Sequence, residues 1–274
     1  MRWVRNLPVV LLLAGLLAAC SSGSSQSEPT ASPTPTQTHY SQVKLFFVAD
    51  TPRGFRLFPE IQQVVSSSDL AETVMSSLVS GQLQPLDPDY SNLWGNGFAL
   101  NSITVTNGIA TIDLALGKLN VGGEGELRAI DQLVWTVTEI NKTITGVKFT
   151  VDGQTVESLA GHVDTTGTFT REPDYEVLNP VSIMSPSQST VLVNPIIVSG
   201  EACTFEANVS WELLKDGVSI NTGSTLAQAA CPERSAWTVD LPQLASGTYT
   251  IVGREYSAKD GSLSAIDSKD FSVG

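Results

Sequence analysis

The sequence predicts an α+β module, a small mixed sheet with two helices on one face, followed by an all-β sandwich. Three observations predict it. Between residues 42 and 161, segments that alternate apolar and polar residues are interleaved with two stretches whose apolar residues recur every three or four positions. Between 180 and 274 only the alternating kind occurs, cut at intervals by turn residues. The polar, turn-rich stretch 162–179, containing "DTTGTFTREPDYEVLN", divides the two and reads as an interdomain linker.

A segment belonging to neither module comes first. Arg2 and Arg5 precede an apolar run from Leu7 to Ala19, and about thirteen residues are too few to span a bilayer, which needs roughly 20. A basic end, a short apolar stretch and small residues are the order of a secretory signal peptide over 1–19. "LAAC", Leu17 to Cys20, resembles the lipobox of bacterial lipoproteins, in which the cysteine receives a diacylglyceryl group. That resemblance implies Cys20 as the lipid attachment site and an extracytoplasmic protein anchored to the cytoplasmic membrane. An ordinary signal peptide with a coincidental cysteine is the alternative. Residues 20–41 are rich in Ser, Thr and Pro with almost nothing apolar, so they are expected to form a disordered tether.

The first module opens with "VKLFFVAD" and "FRLFPEIQQVV", two strands joined by a turn over Thr51 to Gly54. Asp69, with Glu72 three residues on, marks a helix start; Leu70, Val74 and Leu78 give it one apolar stripe, and Gly81 ends it. "LNSITVTNGIATIDLA" is two alternating segments about Asn107 and Gly108, a pair suited to the type I′ turn of a tight hairpin. Leu127, Ile130, Leu133, Val134, Val137 and Ile140 define a second helix, and "GVKFTVDGQTV" a closing strand. In their order "NGIATIDLA", "TVTEI" and "TGVKFTVDG" resemble the sporulation and germination domain of the GerMN type, found in envelope lipoproteins and spore germination proteins. Two features depart from that pattern: Gly81 and Gln82 stand where Gly-Pro is usual, and "LDPDYSNLWGNG" replaces an Ile-Pro loop.

In the second module Phe205, Ala207, Val209, Trp211 and Leu213 alternate with polar residues, a strand with one buried face. "KDG", "SG" and "KDG" space the strands that follow as in a β-sandwich. "SPSQSTVLVNPIIVSGEACTFEANVSWEL" resembles the immunoglobulin-like module of bacterial spore germination proteins. Export and an even count after Cys20 pair Cys203 with Cys231 in a disulfide, two free buried thiols being the alternative. Cys231 follows no tyrosine corner, so this bridge is expected to pin a loop to a strand and not to join sheets through the core.

Composition narrows the function. The 15 basic and 28 acidic residues give a net charge of -13, which disfavours nucleic acid as a partner because phosphates select Lys and Arg patches. The only histidines are His39 and His162, at the tether and at a domain edge. There is no G-x-S-x-G or P-loop motif, and "NVGGEGEL" lacks the spacing of a dinucleotide loop. Asp87, Asp89 and Ser91 start like a calcium loop, but Asn92 and Phe98 stand where glycine and glutamate belong. No metal and no cofactor is therefore expected. Asp113 and Asp131 are conceivable as paired carboxylates only if the fold joins them. Trp94 and Phe98, large aromatics in a Gly- and Asn-rich loop, are candidate anchors for a partner or caps on the module's own core. The resulting expectation is a non-catalytic, lipid-anchored adaptor or scaffold, binding an envelope protein or a cell-wall component. A cell-wall hydrolase and a solute-binding lipoprotein are the alternatives.

Overall fold

The computed structural model describes residues 38–274 except Leu116; the expected signal peptide, Cys20 and the tether up to residue 37 lie outside the described residues. The chain starts on a long antiparallel hairpin, β1 (Tyr40–Thr51) and β2 (Gly54–Val65), in continuous register from Tyr40↔Val65 to Thr51↔Gly54. The hairpin takes in Tyr40 and Ser41, placed in the tether by composition, because both find partners: Tyr40 across from Val65, and Ser41 Oγ 2.8 Å from Ser66 Oγ. Helix α1 (Leu70–Val79) begins where expected, with the Asp69 carboxylate accepting from the Glu72 N–H at 2.9 Å, and turns off into Gly81 at φ 75°. Strands β3 (Ala99–Thr106) and β4 (Ile109–Ala115) form the second hairpin, whose turn residues Asn107 and Gly108 both have positive φ, 51° and 79°.

Helix α2 (Gly123–Ile140) starts four residues before its first apolar marker, with Glu124 and Glu126 complementing the dipole of its first turn. It crosses over to β5 (Gly146–Val151), which runs parallel to β4. The mixed sheet is thus β3-β4-β5 alone, and the β1-β2 hairpin is a separate two-stranded sheet, where the sequence suggests one small sheet. The reason lies in β1. Val43, Leu45 and Phe47 face the main core with α1, α2 and β4, while Phe46 and Val48 face a second cluster with Leu57, Trp135, Val177 and Leu178. A strand buried on both faces separates two packed layers.

Residues 162–179, polar as the sequence reads, are laid against the first module. Phe169 bridges to Val147, the Arg171 guanidinium lies 4.4 Å from the Trp135 ring, and the short helix α3 (Asp174–Val177) leads Val177 and Leu178 into the second cluster. The sandwich follows. One sheet has the order β10-β9-β12-β13-β7 and the other β11-β8-β6, drawn from β6 (Val181–Ser185), β7 (Thr190–Leu192), β8 (Ile197–Ala202), β9 (Asn208–Lys215), β10 (Val218–Leu226), β11 (Ser235–Asp240), β12 (Gly247–Tyr256) and β13 (Leu263–Val273). Trp237, Tyr249, Ile251 and Phe271 fill the space between the sheets. Tyr249 donates its hydroxyl proton to Ala245 O, 2.7 Å away and four residues upstream, a tyrosine-corner contact without a neighbouring cysteine. Cys203, just past β8, is bonded to Cys231 in the loop before β11, so the bridge pins a loop to a strand end. Among the described residues no helix is long and apolar enough to cross a membrane.

Candidate functional site at the seam

The two modules meet through polar groups that the fold has buried. The loop between α1 and β3 is fixed from below: the Glu60 carboxylate on β2 accepts from the Leu86 and Asp87 N–H groups, and Asn92 Nδ2 donates to Leu78 O and Leu83 O. So braced, the loop presents Asp87 and Tyr90 to β13. There the alternation of "AIDSKDFSV" puts Asp267 and Lys269 on the same face as Ala265, Phe271 and Val273, which is the face turned inward. Lys269 Nζ lies 2.6 Å from Asp87 Oδ2 and 3.0 Å from Asp267 Oδ1, and it donates to the Tyr90 hydroxyl as well. Tyr90 in turn donates to Asp267 Oδ1 at 2.6 Å, and the Ile183 N–H donates to Asp267 Oδ2 at 2.6 Å. All the members are buried, Lys269 at 2 % exposure.

Burial is the largest influence on the titration of Asp267, Tyr90 and Lys269. It pushes the Asp267 carboxyl above its ordinary value against the pull of Lys269, and it lifts the Tyr90 phenol well above its own, with Asp267 and Asp87 adding to the rise. For Lys269 burial acts downward, but the charges of Asp267 and Asp87 outweigh it and hold the ammonium above its ordinary value. Asn179, between the modules, donates its side-chain amide to Val181 O and Ile266 O, while its backbone N–H donates to Leu57 O of β2.

Elsewhere at the junction is an open cleft of about 330 Å³ floored by Phe46 and Trp135 and walled by Lys44, Arg171 and Arg234 with Glu139, Asp174 and Glu201. Most of these charges are already matched: Lys44 with Glu201 at 2.7 Å, Arg171 with Glu139 at 2.8 Å. The buried Arg234 guanidinium donates to Asn179 O and Ser182 Oγ, and its pKa is lowered by burial. Such a wall suits polar recognition at a junction.

The residues singled out from the sequence are distributed otherwise. Trp94 and Phe98 are 3 % and 4 % exposed, packed edge to face at 5.1 Å in the main core, with Trp94 Nε1 donating to Ala129 O at 2.9 Å. This corrects their reading as partner anchors: the positive-φ turn at Gly95 to Gly97 folds the loop back on itself and spends both rings on the core. Asp113 and Asp131 are engaged apart from each other. Asp113 accepts from Thr150 Oγ1 and the Gly153 N–H, and Asp131 pairs with Arg128 at 2.6 Å. Asp87, read as the first ligand of an imperfect calcium loop, is the partner of Lys269, and among the described residues no group of three or more His, Cys, Asp or Glu is placed to hold a metal ion. His162 sits exposed beside Glu126, whose carboxylate accepts from Ser158 Oγ and from the N–H groups of Leu159, Ala160, His162 and Val163. Burial pushes that carboxyl up, and these hydrogen bonds outweigh it, leaving it below its ordinary value.

Lys269, Asp267 and Tyr90 escaped sequence reasoning. Their signal was present in β13, where two opposite charges two residues apart occupy an otherwise apolar strand face.

Family models match the two modules separately. The family model described as sporulation and spore germination matches residues 44–157, and the one described as the immunoglobulin-like domain of bacterial spore germination matches 180–262. Among solved structures, the first GerMN domain of the sporulation protein GerM from Bacillus subtilis is 17% identical over 48% of this chain and 98% of its own, with a TM-score of 0.39. The tandem GerMN domains of the same protein are 14% identical over 53% of this chain and 50% of theirs, TM-score 0.39. A candidate lipoprotein from Clostridium perfringens is 22% identical over 50% of this chain and 93% of its own, TM-score 0.34. No curated protein matches the chain.

Proposed function

We propose that this protein, whose residues 44–157 match the sporulation and spore germination family and whose residues 180–262 match the immunoglobulin-like domain of bacterial spore germination, serves in sporulation or germination as a non-catalytic adaptor held outside the cytoplasmic membrane by a lipid on Cys20. The observation that carries the reading is the seam. Two modules that each match a germination family meet at the buried Asp87, Tyr90, Asp267 and Lys269 cluster, and residues 38–274 form one compact unit. A joint of this kind makes a rigid, two-faced body, and rigid scaffolds with loops at their ends suit recognition. Four of the carboxylates have structural partners: Glu60 and Glu126 accept from loop N–H groups, Asp131 pairs with Arg128, and Asp113 accepts from Thr150 and Gly153.

Crosslinking of the full chain in intact sporulating cells, followed by identification of what co-purifies, tests the reading. An adaptor is expected to capture a discrete envelope protein or wall fragment and to leave peptidoglycan uncleaved in a purified assay. Turnover of peptidoglycan that is lost on a single Asp or Glu substitution would replace the adaptor with a hydrolase. Stabilisation by a small solute with no captured partner would replace it with a solute-binding lipoprotein.

A further inference from the structure

The cluster at the seam contains more than an ion pair requires. Lys269 Nζ has three protons but four acceptors within reach: Asp87 Oδ2 at 2.6 Å, Asp267 Oδ1 at 3.0 Å, Ser268 O at 3.1 Å and the Tyr90 hydroxyl. Two carboxylates face one ammonium, and the side chains of all three residues are no more than 2 % exposed. Charges taken this far from water are poorly repaid by each other's attraction. An amine and a carboxyl held in contact in a dry site are also the two halves of an amide, and condensing them removes both charges at once.

The geometry points to a spontaneous intramolecular amide between Lys269 Nζ and Asp87 Cγ, tying the sandwich covalently to the first module, with Asp267 as the proton carrier. Of the two carboxyls, Asp87 is the one positioned to be attacked. It is nearer to Nζ and comes from a distant part of the chain, whereas Asp267 is two residues from Lys269 on the same strand and has both oxygens engaged, by Tyr90 and by the Ile183 N–H. The ammonium passes one proton to Asp267, which frees the nitrogen lone pair to form the N–C bond at Asp87 Cγ. The bond from Cγ to Oδ2 then breaks as that oxygen takes the proton back from Asp267 and a second proton from nitrogen, and leaves as water. Nitrogen keeps one proton, Asp267 ends as it began, and neither oxidant nor co-reactant is needed. Contact geometry of this kind stands in for a very high reactant concentration, and a carboxyl within hydrogen-bonding reach of the amine is a competent acid and base. The released water has an exit, because Tyr90, Asp267, Ser268 and Asp89 line an adjoining cavity of about 270 Å³.

Peptide mapping of the reduced, denatured full chain tests this. Trypsin cuts after Arg56, Lys118 and Lys259, so the peptide 57–118 carries Asp87 and 260–274 carries Lys269. The expected result is one branched species joining these two peptides, uncut at Lys269 and lighter by one water than their sum. K269M and D87A are each expected to release them as separate linear peptides, and D267A to do so for want of a proton carrier. Recovery of linear 57–118 together with cleavage at Lys269 in the unaltered protein overturns the proposal, and this reading needs no variant to fold. A branched species that persists in D267A overturns the role given to Asp267.

Discussion

Replacing both Cys203 and Cys231 with alanine isolates what the bridge contributes. The two residues are 28 apart in sequence, with Cα atoms 4.5 Å apart, and the bridge closes a loop of about 29 residues that includes β9 and β10. In the chain-entropy account a loop of that length removes ~12 cal/mol/K from the unfolded ensemble, or ~3.6 kcal/mol at 25 °C. The loop reaches the bridge through a turn in which Glu206 and Ala207 both have positive φ, 55° and 60°, a conformation held by the Ala207 N–H to Thr204 O and the Cys231 N–H to Thr204 O at 3.2 Å each. In a folded unit of this size, a loss of that order lowers Tm by roughly 7–14 °C. Urea unfolding of the paired variant against the oxidised parent measures it, with the slope expected to rise because the freed chain exposes more surface. A loss below about 1 kcal/mol would refute the reasoning, since the closed loop would then constrain nothing. Thiol counting after denaturation without reductant gives an independent check: Cys203 and Cys231 should be unreactive.

Three further outcomes are expected. Trp94→Ala should destabilise by about 3–5 kcal/mol, as removal of a large buried ring does, and leave partner capture intact in whatever fraction folds; lost capture with an unchanged Tm would return Trp94 to the surface. Glu126→Gln should flatten the acid limb of the stability profile: a carboxyl held below its ordinary value in the folded state contributes stability above its unfolded pKa, and that contribution is lost as pH falls through the lower folded value. An unchanged acid limb in urea melts between neutral and acid pH would mean that the loop over 158–163 does not depend on the charge. Gly200→Ala should be among the most damaging single-methyl additions, because a Cβ there would run into Ser182 O and lie 2.7 Å from Trp237 Cε2. Overpacking of this kind costs about 1–3 kcal/mol, and a wild-type Tm for this variant would show that β8 and its two neighbouring strands can yield.

Local rules fixed much of this protein without help from the fold. The Asp69 cap, the Asn107-Gly108 turn, the stripe of α2 and the alternation of β9 from Val209 to Leu213 each depend on interactions within a few residues, so each can be read from a short window, whereas Phe205 and Ala207, which the same alternation extends to, lie outside the strand in a 3-10 turn with Phe205 exposed. Cysteine parity likewise foretold the bridge. What no window contains is contact between distant segments. Trp94 and Phe98 look the same in sequence whether they cap a core or face solvent, and only the fold-back at Gly95 decides. The hairpin β1-β2 parts from the mixed sheet because residues 177 and 178, more than a hundred positions away, cover its second face. Asp87 and Lys269 are 182 residues apart; sequence can mark two charges on an apolar strand face as unusual, but only burial against the loop of another module supplies the partner that makes them tolerable there.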